Sequence, residues 1–194
     1  MSPVTVEQYL TIEREAEFRS EYLDGKVVAM AGGARNHAMV AIATAAGLHD
    51  RLLGTPFCVA LSDLRLYCKP ANVLTYPDVV VFCEPARFLD GDEDTLVDAV
   101  VLIEVLSRST QNYDRGEKFR HYRELPSFRE YLLLAQNEIR AEHHVRQLDG
   151  SWLFREITEA RRRDPAGLDR VSAPARLSLR PGEVRLSSFF RFIL

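Results

Sequence analysis

Val100-Val101-Leu102-Ile103-Glu104-Val105-Leu106 and Tyr76-Pro77-Asp78-Val79-Val80-Val81-Phe82 decide the fold. Both are continuous β-branched and apolar runs, the pattern of interior strands covered on both faces. Each carries one carboxylate, Glu104 in one and Asp78 in the other. An ionised carboxylate buried without a partner costs several kcal/mol. A positive group between the two is therefore expected, and a divalent cation is the economical choice, with phosphodiester chemistry as its use. The plainer alternative makes Asp78 a turn aspartate after Pro77 and pairs Glu104 with an arginine.

Outward from these strands, Thr5 and Gln8 have the capping-box spacing, which predicts a helix to about residue 18. A hairpin turning at Asp24-Gly25 follows. Asn36 is the expected N-cap of a second helix running to about residue 53, with Met39, Val40, Ile42, Ala43, Ala46 and Gly47 as its apolar face. Short strands are expected over 57–61 and 64–68. After the Asp78 and Glu104 strands, Asn112 or Asp114 can cap a third helix to about residue 125, with Phe119, Tyr122 and Leu125 as its buried stripe. Strands over 130–135, 140–145 and 151–157 complete the core. A polar loop over 159–174, a strand over 183–186 and an apolar tail over 189–194 follow. The order describes a mixed α/β (α+β) sheet with helices on its faces. One domain over 1–194 is expected, with a core of about 5–157 and a C-terminal extension of about 158–194.

The hydrophobic fraction is 46% and the charged fraction 27%, enough apolar material for one core. With 25 Lys+Arg against 28 Asp+Glu the net charge is −3, which argues against coating nucleic acid by bulk charge. A local basic groove remains open. Cys58, Cys68 and Cys83 form neither an even set nor a CxxC pattern, so buried free thiols in a reducing cytosol are expected. The N-terminus has no secretory pattern, and no apolar run approaches the roughly 20 residues of a membrane span. A soluble, cytoplasmic protein is the expectation.

Side chains alternate along a strand, so Glu104 shares its face with Leu102 and Leu106. If the Asp78 strand lies beside it, both carboxylates meet at one cation. Lys118 lies beside the apolar stripe of the third helix, where it can reach over the metal site; alternatively it pairs with Asp114 on a solvated face. His37, near a helix N-terminus, is a candidate base or phosphate contact, or a structural histidine. Arg65, Arg115, Arg120 and Arg123 are candidates for phosphate contacts, or simply solvated charges.

Several stretches taken together resemble the PD-(D/E)xK nuclease superfamily, and more narrowly the Uma-type restriction endonuclease family. They are Glu21-Tyr22-Leu23-Asp24-Gly25, Asn36-His37, Ser62-Asp63-Leu64-Arg65, Tyr76-Pro77-Asp78-Val79-Val80-Val81, Ile103-Glu104-Val105-Leu106-Ser107, Ser109-Thr110 and Tyr113-Asp114-Arg115-Gly116-Glu117-Lys118-Phe119-Tyr122. The resemblance implies a restriction-endonuclease-like core. It implies binding of Mg2+ or Mn2+ by Asp78, Glu104 and the Val105 carbonyl, with Glu21 as a nearby acidic residue. Leu106 stands where the superfamily pattern has its lysine, and Lys118 on the following helix matches the family's displaced lysine. Arg108 replaces the usual proline after Ser107, beside the site and in reach of substrate phosphate.

The leading expectation is a divalent-metal-dependent endonuclease acting on DNA, with Asp78, Glu104, Lys118, Glu21 and His37 as its catalytic set and Arg65, Arg108 and Arg115 as substrate contacts. A non-catalytic nucleic-acid or protein-binding module on the same fold, or a phosphodiesterase with a small substrate, are the rivals. The apolar tail over 189–194 either offers a homodimer contact or completes the core.

Overall fold

The strand signal at Asp78 and Glu104 places both runs in the middle of one sheet. In the computed structural model, which describes residues 3–30, 32–89, 91 and 93–158, two mixed sheets carry the chain. The larger has six strands: β3 (Phe57–Leu61), β6 (Val79–Cys83), β8 (Val101–Leu106), β9 (Glu130–Ala135), β10 (Arg140–Arg146) and β11 (Trp152–Thr158), in the order β11-β10-β9-β8-β6-β3. The smaller has five: β1 (Ser20–Leu23), β2 (Lys26–Ala29), β4 (Arg65–Cys68), β5 (Val73–Thr75) and β7 (Thr95–Leu96), in the order β2-β1-β5-β4-β7. The result is the mixed α+β architecture expected from the element order.

β6 and β8 are antiparallel neighbours with Val79 opposite Ile103, and β8 runs parallel to β9 with Glu104 opposite Leu133. Alternation divides the side chains between two cores. Val79, Val81, Val101, Ile103 and Val105 pack under α2 (Arg35–Leu52) with Ala41, Ala45 and Leu48. Val80, Phe82, Leu102, Leu106, Tyr131 and Leu133 face Phe119, Tyr122 and Leu125 on the other side. Glu104 lies on this second face, surrounded by apolar groups.

α1 (Val6–Glu15) starts with the expected reciprocal Thr5–Gln8 capping box but ends before residue 18, with Ala16 as its C-cap. α2 begins two residues earlier than its predicted cap would allow. Ala34 occupies the N-cap position without a side-chain bond, because the Asn36 amide is spent across the fold, donating to Asn137 Oδ1 at 3.1 Å. The third helix is three joined pieces: α3 (Gln111–Tyr113), a π-turn (Asp114–Lys118) and α4 (Phe119–Tyr122). Asp114 is therefore not its cap. β5 and β7 were not foreseen; at three and two residues they are too short to show alternation. Of the cysteines, Cys68 is buried and Cys58 and Cys83 are half-buried, all as free thiols. The predicted loop, strand and tail beyond residue 158 lie outside the described residues.

Candidate functional site

Five elements deliver polar groups to the gap between the two sheets. β8 presents Glu104 on the face below the third helix. Asp78, one residue before β6, stands next to the Val79–Ile103 pair, and its Oδ2 accepts from the Val105 backbone N–H at 2.7 Å. β1 turns Tyr22 toward Tyr9 and Leu74, so its neighbour Glu21 points the other way, into the gap. The π-turn adds Asp114 and Lys118, and α2 adds His37 from its first turn.

Lys118 is the hub. Only 6% exposed, its Nζ lies 2.9 Å from Glu104 Oε1, 3.3 Å from Glu21 Oε1 and 3.9 Å from Asp114 Oδ1. The solvated Asp114–Lys118 pair considered from spacing is thus a buried one. A π-turn bonds each N–H to the carbonyl five residues back and adds a residue to the helical circuit. Asp114 and Lys118 both enter the interior this way, while Phe119 and Tyr122 keep their places on the apolar stripe. The turn is held from the sheet by the Tyr131 hydroxyl, which donates to the Asp114 carbonyl at 3.0 Å.

The carboxylates are oriented one oxygen at a time. Tyr122, fully buried, donates its hydroxyl to Glu104 Oε1 at 2.9 Å and bonds Thr75 Oγ1 at 2.9 Å. His37 Nε2 lies 3.0 Å from Asp78 Oδ2, and Thr110 Oγ1 donates to Asp114 Oδ2 at 2.8 Å. Asp78 Oδ1 and Glu104 Oε2 accept no hydrogen bond from any described residue. The Tyr113 hydroxyl is buried near Glu21 and Lys118 without a hydrogen-bond partner among those residues.

Electrostatics follow from burial. Glu104 is pushed up to about 8 by desolvation, against the pull of Lys118 and with further push from Asp78 and Asp114. Asp114 is raised by burial as well. Desolvation opposes the Lys118 charge, but Glu104, Glu21 and Asp114 outweigh it and hold the ammonium well above the ordinary lysine range. The hydrogen bond to Asp78 raises His37, against the effect of its burial, and so favours its charged form. Four carboxylates thus surround one ammonium and one imidazole, an excess of negative charge at one point.

That excess, with one unbonded oxygen on each of Asp78 and Glu104, fits a hard divalent cation needing one or two protein carboxylates and completing its shell with water and phosphate oxygens. Among the described residues no group of three or more aspartate, glutamate, histidine or cysteine side chains is arranged to hold a metal ion, so such an ion would rest on the two carboxylates and a backbone carbonyl.

The predicted site residues part company here. Asp78, Glu104, Val105, Lys118, Glu21 and His37 are brought together. Arg115 and Arg108 lie at the rim: Arg115 is held by Glu142 through Nε and Nη2 at 3.0 and 2.8 Å, and Arg108 is exposed. Arg65 does not belong with them. It is 5% exposed on β4, bonded to Asp94, Thr95 and Tyr76, so its guanidinium has no route to a substrate phosphate. Tyr122, Thr75, Thr110 and Asp114 were not foreseen as site residues. The one available signal was the tyrosine on a buried stripe, whose hydroxyl must find a partner inside.

A crystal structure described as "a putative nuclease belonging to DUF820" from Anabaena variabilis ATCC 29413 superimposes with a TM-score of 0.66 at 17% identity, covering 81% of this chain and 86% of that one. The fold is therefore shared with that protein. Two proteins of Synechocystis sp. (strain ATCC 27184 / PCC 6803 / Kazusa) are similar in sequence. Uncharacterized protein sll1609 is 31% identical over 154 residues, 79% of this chain and 87% of its own length. Uncharacterized protein slr1290 is 33% identical over 148 residues, 76% of this chain and 77% of its own. No helix among the described residues is long and apolar enough to cross a membrane. The model of the Uma2 family, described as "Putative restriction endonuclease", matches residues 6–176, and the chain belongs to that family.

Proposed function

We propose that the protein is a divalent-metal-dependent endonuclease that hydrolyses phosphodiester bonds in DNA. Family and fold both support a nuclease. The observation that carries the finer reading is the convergence of Glu104, Glu21 and Asp114 on Lys118 in a buried gap, with Asp78 held beside them by the Val105 N–H and His37.

Asp78 and Glu104, with the Val105 carbonyl, are the groups to hold Mg2+ or Mn2+, which when bound polarises a phosphoryl oxygen and acidifies its water. The residues around them do the positioning. The Val105 N–H and His37 fix Asp78 through Oδ2 and leave Oδ1 for the ion. Tyr122 fixes Glu104 through Oε1 and leaves Oε2. Glu21 and Asp114 hold Lys118, whose ammonium orients the attacking water and stabilises charge growing on the phosphoryl oxygens. The water oxygen bonds to phosphorus in line with the P–O ester bond that breaks, its proton passes to solvent, and the departing alkoxide oxygen keeps the bond's electron pair and takes a proton from solvent. Lys118 beside Glu104 supports the reading that this amine replaces the one absent at Leu106.

The test is nicking of supercoiled plasmid with Mg2+ or Mn2+ by wild type, Asp78→Ala and Lys118→Ala purified in parallel. Metal-dependent nicking lost in both variants is expected. Equal behaviour of all three proteins, with and without metal, would sink the reading and leave a binding module on the same fold.

A further inference from the structure

The π-turn serves two places at once. Asp114 turns into the carboxylate gap, while the next residue, Arg115, reaches out to Glu142 on β10. Glu104, Leu133 and Glu142 form one row across β8, β9 and β10. At about 4.8 Å per strand step, Glu142 stands roughly 10 Å from Glu104. Against this row lies a concavity of about 370 Å³ with Leu106 and Leu133 among its lining.

We infer that this concavity receives one unpaired nucleotide of the nucleic-acid substrate next to the scissile phosphate. The inference rests on the nuclease reading and adds the form of substrate to it. Its polar lining is planar and prearranged. Arg115 is clamped by Glu142 and also bonds Gln111. Gln136 spends Nε2 on the Leu106 carbonyl, which leaves its Oε1 as an acceptor. Asn137 spends Oδ1 on Asn36, which leaves its Nδ2 as a donor. An adjacent amide acceptor and amide donor match the hydrogen-bonding edge of a nucleobase, while the guanidinium plane of Arg115 provides a surface for one of its faces. Arg108, exposed and without an ion pair or hydrogen bond to any described residue, is available for the flanking phosphate. A base inside a duplex has already spent the edge these amides would read. The space also admits a single nucleotide and excludes a double helix. Single strands, bulges and bases turned out of the stack meet both conditions, the last at a cost of a few kcal/mol.

The experiment measures binding of a fluorescein-labelled 12-nucleotide single strand and of the same sequence as a perfect duplex. It uses Asp78→Asn protein in Ca2+, so that binding is read without cleavage. The single strand is expected to bind at least tenfold more tightly than the duplex. Arg108→Ala and Asn137→Ala, each in the Asp78→Asn background, should reduce that ratio at least fivefold. Equal binding of the two forms, or a preference that neither substitution moves, overturns the inference. Plasmid nicking by the wild-type protein separates the two failures. Equal binding of single strand and duplex with metal-dependent nicking intact removes the pocket and keeps the nuclease; a preference for the single strand without nicking keeps the pocket and removes the nuclease.

Discussion

Lys118 Nζ lies 2.9 Å from Glu104 Oε1, and both side chains are almost wholly sequestered from water. A pair in this setting stabilises little relative to an apolar pair, yet removing one partner leaves the other buried without its counter-group. Lys118→Met is accordingly expected to destabilise the fold by about 3–5 kcal/mol. Adding Glu104→Gln to it should restore part of that loss, since the double variant strands fewer charges. Urea denaturation of the two single variants, the double variant and wild type checks this. A double variant less stable than Lys118→Met by the full cost of Glu104→Gln would mean the two residues are energetically independent.

The raised carboxyl of Glu104 makes a prediction about pH with a definite sign. Between its ordinary value of 4.5 and about 8, the folded chain holds a proton that the unfolded chain releases. Stability of the metal-free protein therefore falls as pH rises through that window, by at most about 1.4 kcal/mol per pH unit from this group. Raised Asp114 acts in the same direction. His37 does too: its bond to Asp78 stabilises below the ordinary histidine range and is lost as pH climbs through its raised value. Melts in EDTA should show the protein more stable at about pH 6 than at about pH 8.5, with a smaller difference in Glu104→Gln. Millimolar Mg2+ should raise stability chiefly at the higher pH, where the carboxylates are free of protons. A stability that rises over this range would contradict the electrostatic picture.

Much of this arrangement was legible in the chain, for identifiable reasons. Asp78 and Glu104 stood out because each interrupts a run that otherwise reads as buried strand, and a charge there demands an explanation. The hairpin at Asp24-Gly25 and the capping box at Thr5 and Gln8 are local chemistry and appear as local chemistry dictates. What was not legible depends on residues distant in sequence. Arg65 looks like any surface arginine until β4 and β5 bury it beside Tyr76 and Thr95. Asn36 has the composition of a cap, but Asn137, far along the chain, takes its amide. The π-turn leaves no trace in a periodicity argument, because one added residue reads as ordinary drift of the stripe. Asp114 was therefore placed at a helix end, or paired with Lys118 on a solvated face, instead of in the buried gap.

Tyr122 separates positioning from packing. Tyr122→Phe keeps the ring contacts with Phe128 and Tyr131 but removes the hydroxyl between Glu104 and Thr75. The loss of one buried hydrogen bond is expected to cost about 1–2 kcal/mol of stability. Orienting groups behind metal ligands commonly affect affinity by 10- to 100-fold, and a weakening of Mg2+ binding of that order is expected here. Isothermal titration with Mg2+, alongside thermal melts, reads both. Unchanged metal affinity would reduce Tyr122 to a core residue.

His37 offers the sharpest distinction between two roles. As a proton acceptor it would have to be neutral before the reaction, and its bond to Asp78 favours the charged form. A positioning role needs only an N–H aimed at Asp78 Oδ2. His37→Gln supplies an N–H donor that does not titrate near neutrality, whereas His37→Leu supplies neither donor nor base. If His37 positions Asp78, the Gln variant should retain cleavage within about tenfold of wild type with the same alkaline limb of its pH profile, and the Leu variant should lose about 100-fold or more, within the usual range for a group that orients a metal ligand. If His37 is the base, both variants fall together and the limb governed by its titration disappears. Rates measured across pH on one plasmid substrate, at saturating Mg2+, decide between these outcomes. The geometry favours the first, because the imidazole nitrogen that faces the site is already engaged at 3.0 Å by the carboxylate it orients.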